Sequence, residues 1–135
     1  MKSERFFEGQ PAPAPILDKP MTQQTIFDRV VRHYRKQRRR CPEEGQCFYR
    51  LGGDMCFAGP LIDNMHYNPN MEGYRVRDLL KVFTMPAWFH DNVSFIEELQ
   101  AIHDTETNWA GDRMETILEM FATDRGLRMP DETVV

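Results

Sequence analysis

The stretch "VVRHYRKQRRRCPEEGQCFYRLGGDMCFAGPLI", residues 30–62, joins the densest run of positive charge in the chain to all three of its cysteines. Two chemistries suit those residue types. Guanidinium and ammonium groups in a row can neutralise successive phosphates and release their counterions, so that affinity for a nucleic acid falls as salt rises. Thiolates with a histidine can hold zinc. Each has a plainer counterpart, a solvated helix face and small buried residues of a sheet.

The cations need a helix to align them. Thr22 is a capping residue, Met21 and Ile26 stand at staple positions, and Ile26, Phe27, Val30, Val31 and Tyr34 recur at helical spacing. That spacing predicts an amphipathic helix running to the stop at Cys41-Pro42, with Arg29, Arg32, Arg35, Lys36, Arg39 and Arg40 opposite the apolar face. Arg38 falls on the apolar side. The six cations are the candidate grip on DNA or RNA, although no zinc-finger, homeodomain or RNP-type pattern accompanies them. The alternative is a solvated face that meets the acidic C-terminal helices.

Beyond the helix, "CFYRL" and "DMCFAGPLI" are β-prone runs separated by Gly52-Gly53, and both glycines can take the positive φ of a primed turn. The spacing predicts a β-hairpin in which Leu51 opposes Asp54, Tyr49 opposes Cys56, and Cys47 and Cys56 lie diagonally on one face. A diagonal pair at roughly 7–8 Å is too far apart for an unstrained disulfide, so reduced thiols are expected. Cys41, Cys47, Cys56 and His66 are the candidate zinc ligands, without the close Cys-x2-4-Cys pair that usually presents two thiolates. No cofactor is therefore assigned, with zinc as the alternative.

Downstream, "DNMHYNPNMEG" reads as a connecting loop, since the ordered ligand pattern of a calcium loop is missing. Val76, Leu79, Leu80 and Phe83 then resume helical spacing. In "TMPAWFHDN", Met85, Trp88 and Phe89 either plug the core or, if exposed, form a protein contact patch. Ser94 with Glu97 fits a capping box ahead of the stripe Phe95, Ile96, Leu99, Ile102 and His103. Asp112 with Glu115 opens a last helix lined by Met114, Ile117, Leu118 and Phe121 and capped at Gly126-Leu127. His103 beside Asp104 has the makings of a base, but a hydrogen-bonded core histidine is the commoner fate.

Composition sets the outer limits. Hydrophobic residues at 41% and charged residues at 28% put the chain outside the regime that stays unfolded, and 135 residues suffice for one core. The net charge of −4 conceals a basic end, ten Lys/Arg against six Asp/Glu over residues 1–45, and an acidic end, three against eleven over residues 91–135. Three cysteines make no disulfide scaffold. No apolar run can span a bilayer, and the N-terminus lacks the apolar core of a secretory signal, so a cytoplasmic protein without membrane contact is expected. The prolines of "GQPAPAPILDKP" predict a flexible segment over residues 1–20, with Met21 a second candidate for the start of translation. Residues 21–128 are expected to form a single domain and residues 129–135 a loose tail.

"CFYRLGGDMCFAGPLI", "YNPNMEG" and "LQAIHD" together resemble a group of small bacteriophage and prophage proteins that pair a C-x-Y-R hairpin with a later L-Q-x-I-H-D helix. The resemblance covers about residues 21–126 and implies a phage setting and a bacterial host cytoplasm. It transfers no catalytic or binding residue. "MHYNPN" stands where the group is more acidic. The expected fold is α+β: a basic amphipathic helix, one β-hairpin, then three helices in one domain. The expected function is non-enzymatic, binding a host macromolecule, foremost a protein of transcription or defence, with nucleic-acid binding through Arg29–Arg40 and zinc binding as alternatives. No Gly-rich phosphate loop, nucleophile elbow or H-E-x-x-H motif supports an enzyme. The oligomeric state has no signature in the sequence.

Overall fold

Helix α1 (Gln23–Gln37) begins where its cap predicts: Thr22 Oγ1 accepts the Thr25 N–H at 3.1 Å. The computed structural model describes residues 20–41 and 49–131, so Cys47 and almost all of the proline-rich segment lie outside the described residues. Met21 and Ile26 are both buried at the staple positions, and Ile26, Phe27, Val30, Val31 and Tyr34 form the face that enters the core. The helix ends earlier than Cys41-Pro42. Arg38 turns left-handed at φ 58° and returns its N–H to the Tyr34 carbonyl at 2.7 Å, which takes Arg39 and Arg40 off the helix altogether.

Among the described residues four further α-helices follow: α2 (Val76–Val82), α3 (Ala87–Asp91), α4 (Val93–Asp104) and α5 (Arg113–Asp124). The aromatic layer between them fixes their arrangement. Phe27 of α1 stacks on Phe121 of α5 with ring centroids 6.0 Å apart, and Phe121 meets Phe95 of α4 at 5.5 Å. Tyr34, Phe57, His103 and Trp109 make a second cluster that closes the other end of the core. At the start of α4 the predicted Ser94–Glu97 box does not form. Val93 is already helical, and Ser94 and Glu97 instead accept from Arg77 of α2, the carboxylate at 2.8 Å. The end of α5 matches its predicted cap, with the Leu127 N–H on the Ala122 carbonyl at 2.8 Å.

The predicted hairpin, and with it the α+β class, is not what the chain adopts. Among the described residues there is no strand, only an isolated antiparallel bridge between Leu51 and Asp54. The Gly52-Gly53 turn exists in the predicted register, with positive φ at Gly52 alone, but pairing does not continue to Tyr49 and Cys56. Side chains from elsewhere take the backbone groups a partner strand would have satisfied. The Glu72 carboxylate accepts the Tyr49 N–H at 2.8 Å and the Arg50 N–H at 3.1 Å. The Gln37 amide accepts the Met55 N–H at 2.9 Å and donates to the Met55 carbonyl at 3.2 Å, and Gln100 Oε1 takes the Ala58 N–H at 2.9 Å. With those groups occupied, the segment folds back as turns and a short 3-10 helix, Gly59–Leu61, that packs on α1. Gly59 permits this approach: a Cβ there would sit 2.5 Å from the Tyr49 carbonyl oxygen and 2.7 Å from Met55 Cβ.

Glu72 also accepts the Tyr67 hydroxyl at 2.5 Å, so one carboxylate holds three donors. Replacing Glu72 with Ala is expected to lower the unfolding free energy by about 3 kcal/mol, read by urea denaturation, because it orphans two backbone N–H groups and a phenol. Glu119→Ala, at an exposed position on α5, is expected to stay within about 0.5 kcal/mol of the parent.

Candidate functional site

The α1 region carries its cations in two sets. Arg35, Arg39 and Arg40 hold the fold. Arg35 Nη2 meets Glu115 Oε2 of α5 at 2.6 Å while its Nη1 donates to the Pro130 carbonyl at 3.1 Å, tying the C-terminal segment down as well. Arg39 forks onto Asp54, with Nη2 at 2.7 Å from Oδ1 and Nε at 3.2 Å from Oδ2, and so clamps the Gly-Gly turn. Arg40 donates to the Asp104 carbonyl at 3.2 Å, at the negative end of the α4 dipole. Arg38 lies over the Tyr34 ring at 5.6 Å.

Arg29, Arg32 and Lys36 do none of this. Among the described residues they make no ion pair and no hydrogen bond, and together with Thr25, Asp28, His33 and Pro60 they line an open concavity of about 410 Å³. The sequence signal for the extra residues was present but unread. Thr25, Arg29, Arg32 and Lys36 stand at i, i+4, i+7 and i+11, one stripe of a helix, whereas Arg35 points to the flank that meets α5. Only Pro60, 24 residues beyond Lys36, required the tertiary fold to bring it to the rim.

Electrostatics give this stripe its character. Like charges at i, i+3 and i, i+4 destabilise a helix by about 0.2–0.5 kcal/mol per pair, and both Arg29/Arg32 and Arg32/Lys36 are such pairs. Arg29 is half-buried, and burial alone pushes its guanidinium below its ordinary range. A guanidinium remains charged regardless, so an arriving anion would relieve both the repulsion and the desolvation. His33 sits at the side of the groove with Nε2 at 3.1 Å from the Met55 carbonyl, an acceptor only, so Nε2 carries the hydrogen. Burial pulls its pKa below the usual histidine range, partly offset by that carbonyl, and the ring is neutral at pH 7. Asp28 is the acidic member, and its Oδ1 accepts from Gln24 Nε2 at 2.7 Å.

The other sequence candidates fall elsewhere. Met85, Trp88 and Phe89 are 6%, 5% and 0% exposed and belong to the core, the last two on α3 where it packs against α4. They offer no contact patch. Of the proposed zinc ligands, Cys41 and Cys56 are buried, and His66 Nδ1 lies 2.7 Å from Asp63 Oδ1. Among the described residues no three His, Cys, Asp or Glu side chains converge in a way that could hold a metal. His103 is 1% exposed, with Nδ1 3.1 Å from Asp104 Oδ1 and its ring against Phe57 and Trp109. The polar loop 63–74 is a hydrogen-bonded knot in which Arg50 covers the Tyr67 ring at 4.3 Å, and burial and the Glu72 carboxylate push the Tyr67 hydroxyl up to about 12.

Two outcomes separate the sets. Arg35→Ala is expected to cost about 1–2 kcal/mol in urea unfolding, a partly exposed ion pair plus a backbone hydrogen bond, whereas Arg32→Ala stays within about 0.5 kcal/mol. For His33 the folded pKa lies below the unfolded one, so the unfolded chain binds more protons in acid. Stability should therefore fall as pH drops from about 7 to about 5, and His33→Gln, which keeps a donor for Met55, should flatten that slope.

No protein-family model, no curated protein and no solved structure matches this chain.

Proposed function

We propose that this chain is a non-enzymatic binding protein of phage type that holds the phosphate backbone of a nucleic acid on the Arg29–Arg32–Lys36 face of α1. One observation carries the proposal: three cations are kept side by side, without carboxylate partners among the described residues, around an open groove. Local repulsion retained without structural compensation is a mark of a binding surface. A protein partner anchored by Met85, Trp88 and Phe89 is the weaker reading, because those side chains are in the core. The phage setting rests on the sequence resemblance alone.

Three phosphate contacts define a modest, salt-sensitive grip. The logarithm of the affinity is expected to fall with the logarithm of salt at a slope of about −2 to −3, half of what six contacts would give. Fluorescence anisotropy of labelled mixed-sequence oligonucleotides across a salt series measures it. Arg32→Glu/Lys36→Glu should abolish both affinity and slope while Arg113→Glu, exposed on α5, leaves them unchanged. A folded protein that binds no oligonucleotide at low salt, or a double variant that binds like the parent, would refute the proposal.

A further inference from the structure

The groove is not uniformly basic, and its one acid is informative. Asp28 lines the same concavity as Arg29, Arg32 and Lys36, and it precedes Arg32 by one helical turn, about 6 Å along the axis. Among the described residues it makes no ion pair with Arg32 or any other cation, and it accepts instead from the neutral Gln24 amide. A carboxylate repels a ligand that brings phosphates alone. It favours one that presents a hydrogen-bond donor next to its phosphate.

Resting on the binding function proposed above, we infer that the ligand of this groove is single-stranded RNA, with a ribose 2′-hydroxyl donating to Asp28 and the phosphates on Arg29, Arg32 and Lys36. A carboxylate accepting from a ribose hydroxyl is established chemistry in nucleotide sites, and the 2′-hydroxyl is the group by which a protein tells RNA from DNA. A volume of about 410 Å³ lies within the range of pockets that enclose a small ligand. Thr25, a helical turn before Arg29 in the same lining, adds a hydroxyl that can donate or accept. Pro60 and the neutral His33 ring also line the groove, and Arg29 within it is half-buried.

The test compares the full chain binding a fluorescein-labelled mixed-sequence 12-nucleotide RNA (about 4–16 nucleotides being a usual single-strand site), the same sequence as DNA, and its 2′-O-methyl form. The RNA is expected to bind about ten-fold more tightly than the DNA, the scale of one hydrogen bond to a charged acceptor, and the 2′-O-methyl strand to bind like the DNA. Asp28→Asn, which retains an oxygen for Gln24, should bring the RNA-to-DNA ratio towards one by strengthening the DNA complex and weakening the RNA complex. Equal binding of all three strands by the parent protein would overturn the ribose assignment and leave the phosphate grip standing. Binding of none of them above the Arg32→Glu/Lys36→Glu level would overturn both. The three-strand comparison needs no variant to fold.

Discussion

The segment between Tyr49 and Leu61 must satisfy its backbone without a partner strand, and the rest of the fold follows from how it does so. Gln37 pairs with both polar groups of Met55, Glu72 takes two successive N–H groups at Tyr49 and Arg50, and Gln100 takes Ala58. Each comes from a different element: the end of α1, the polar loop, and α4. These contacts place the irregular segment among the helices and seat Gly59–Leu61 on α1, and an unsatisfied backbone group there would cost as much as a lost hydrogen bond. The same seating brings Pro60 beside the solvent stripe of α1 and turns a convex helix surface into a groove.

Charge is allocated with similar economy. The acidic C-terminal half is not merely attracted to the basic helix at a distance, because Glu115 is bound by Arg35, and the Asp104 carbonyl by Arg40. Asp54 does the same for Arg39 within the turn segment. Three arginines are thereby committed to joining α1 to α5, α4 and the Gly-Gly turn. What is left on α1 is Arg29, Arg32 and Lys36, so a chain with a net charge of −4 still presents a locally positive groove.

Much of this was legible in the sequence, and the exceptions share a cause. The Thr22 cap, the apolar stripe of α1, the last cap at Gly126-Leu127 and the burial of His103 depend on neighbours within a turn or two, or on apolar periodicity. The hairpin failed because Tyr49, Arg50, Met55 and Ala58, within β-prone runs, find their hydrogen bonds in side chains at Glu72, Gln37 and Gln100, a long-range match that no local pattern encodes. Met85, Trp88 and Phe89 had two readings because burial is a tertiary property. The spacing predicts a cationic face of six residues where only three lack partners among the described residues, because the αL turn at Arg38 carries no glycine to announce it, and the partners Glu115, Asp54 and Asp104 lie far along the chain. Asp28 was visible on the helix but gained meaning only with the groove.

The division of the cations is most directly tested by side-chain Nε–Hε NMR of the arginines in the full chain while a mixed-sequence oligonucleotide is added. Arg29 and Arg32 should shift on binding, whereas the signals of Arg35 and Arg39, already held by Glu115 and Asp54, should stay in place. Shifts at Arg35 and Arg39 as large as those at Arg29 and Arg32 would show that the two sets are one surface and contradict the account.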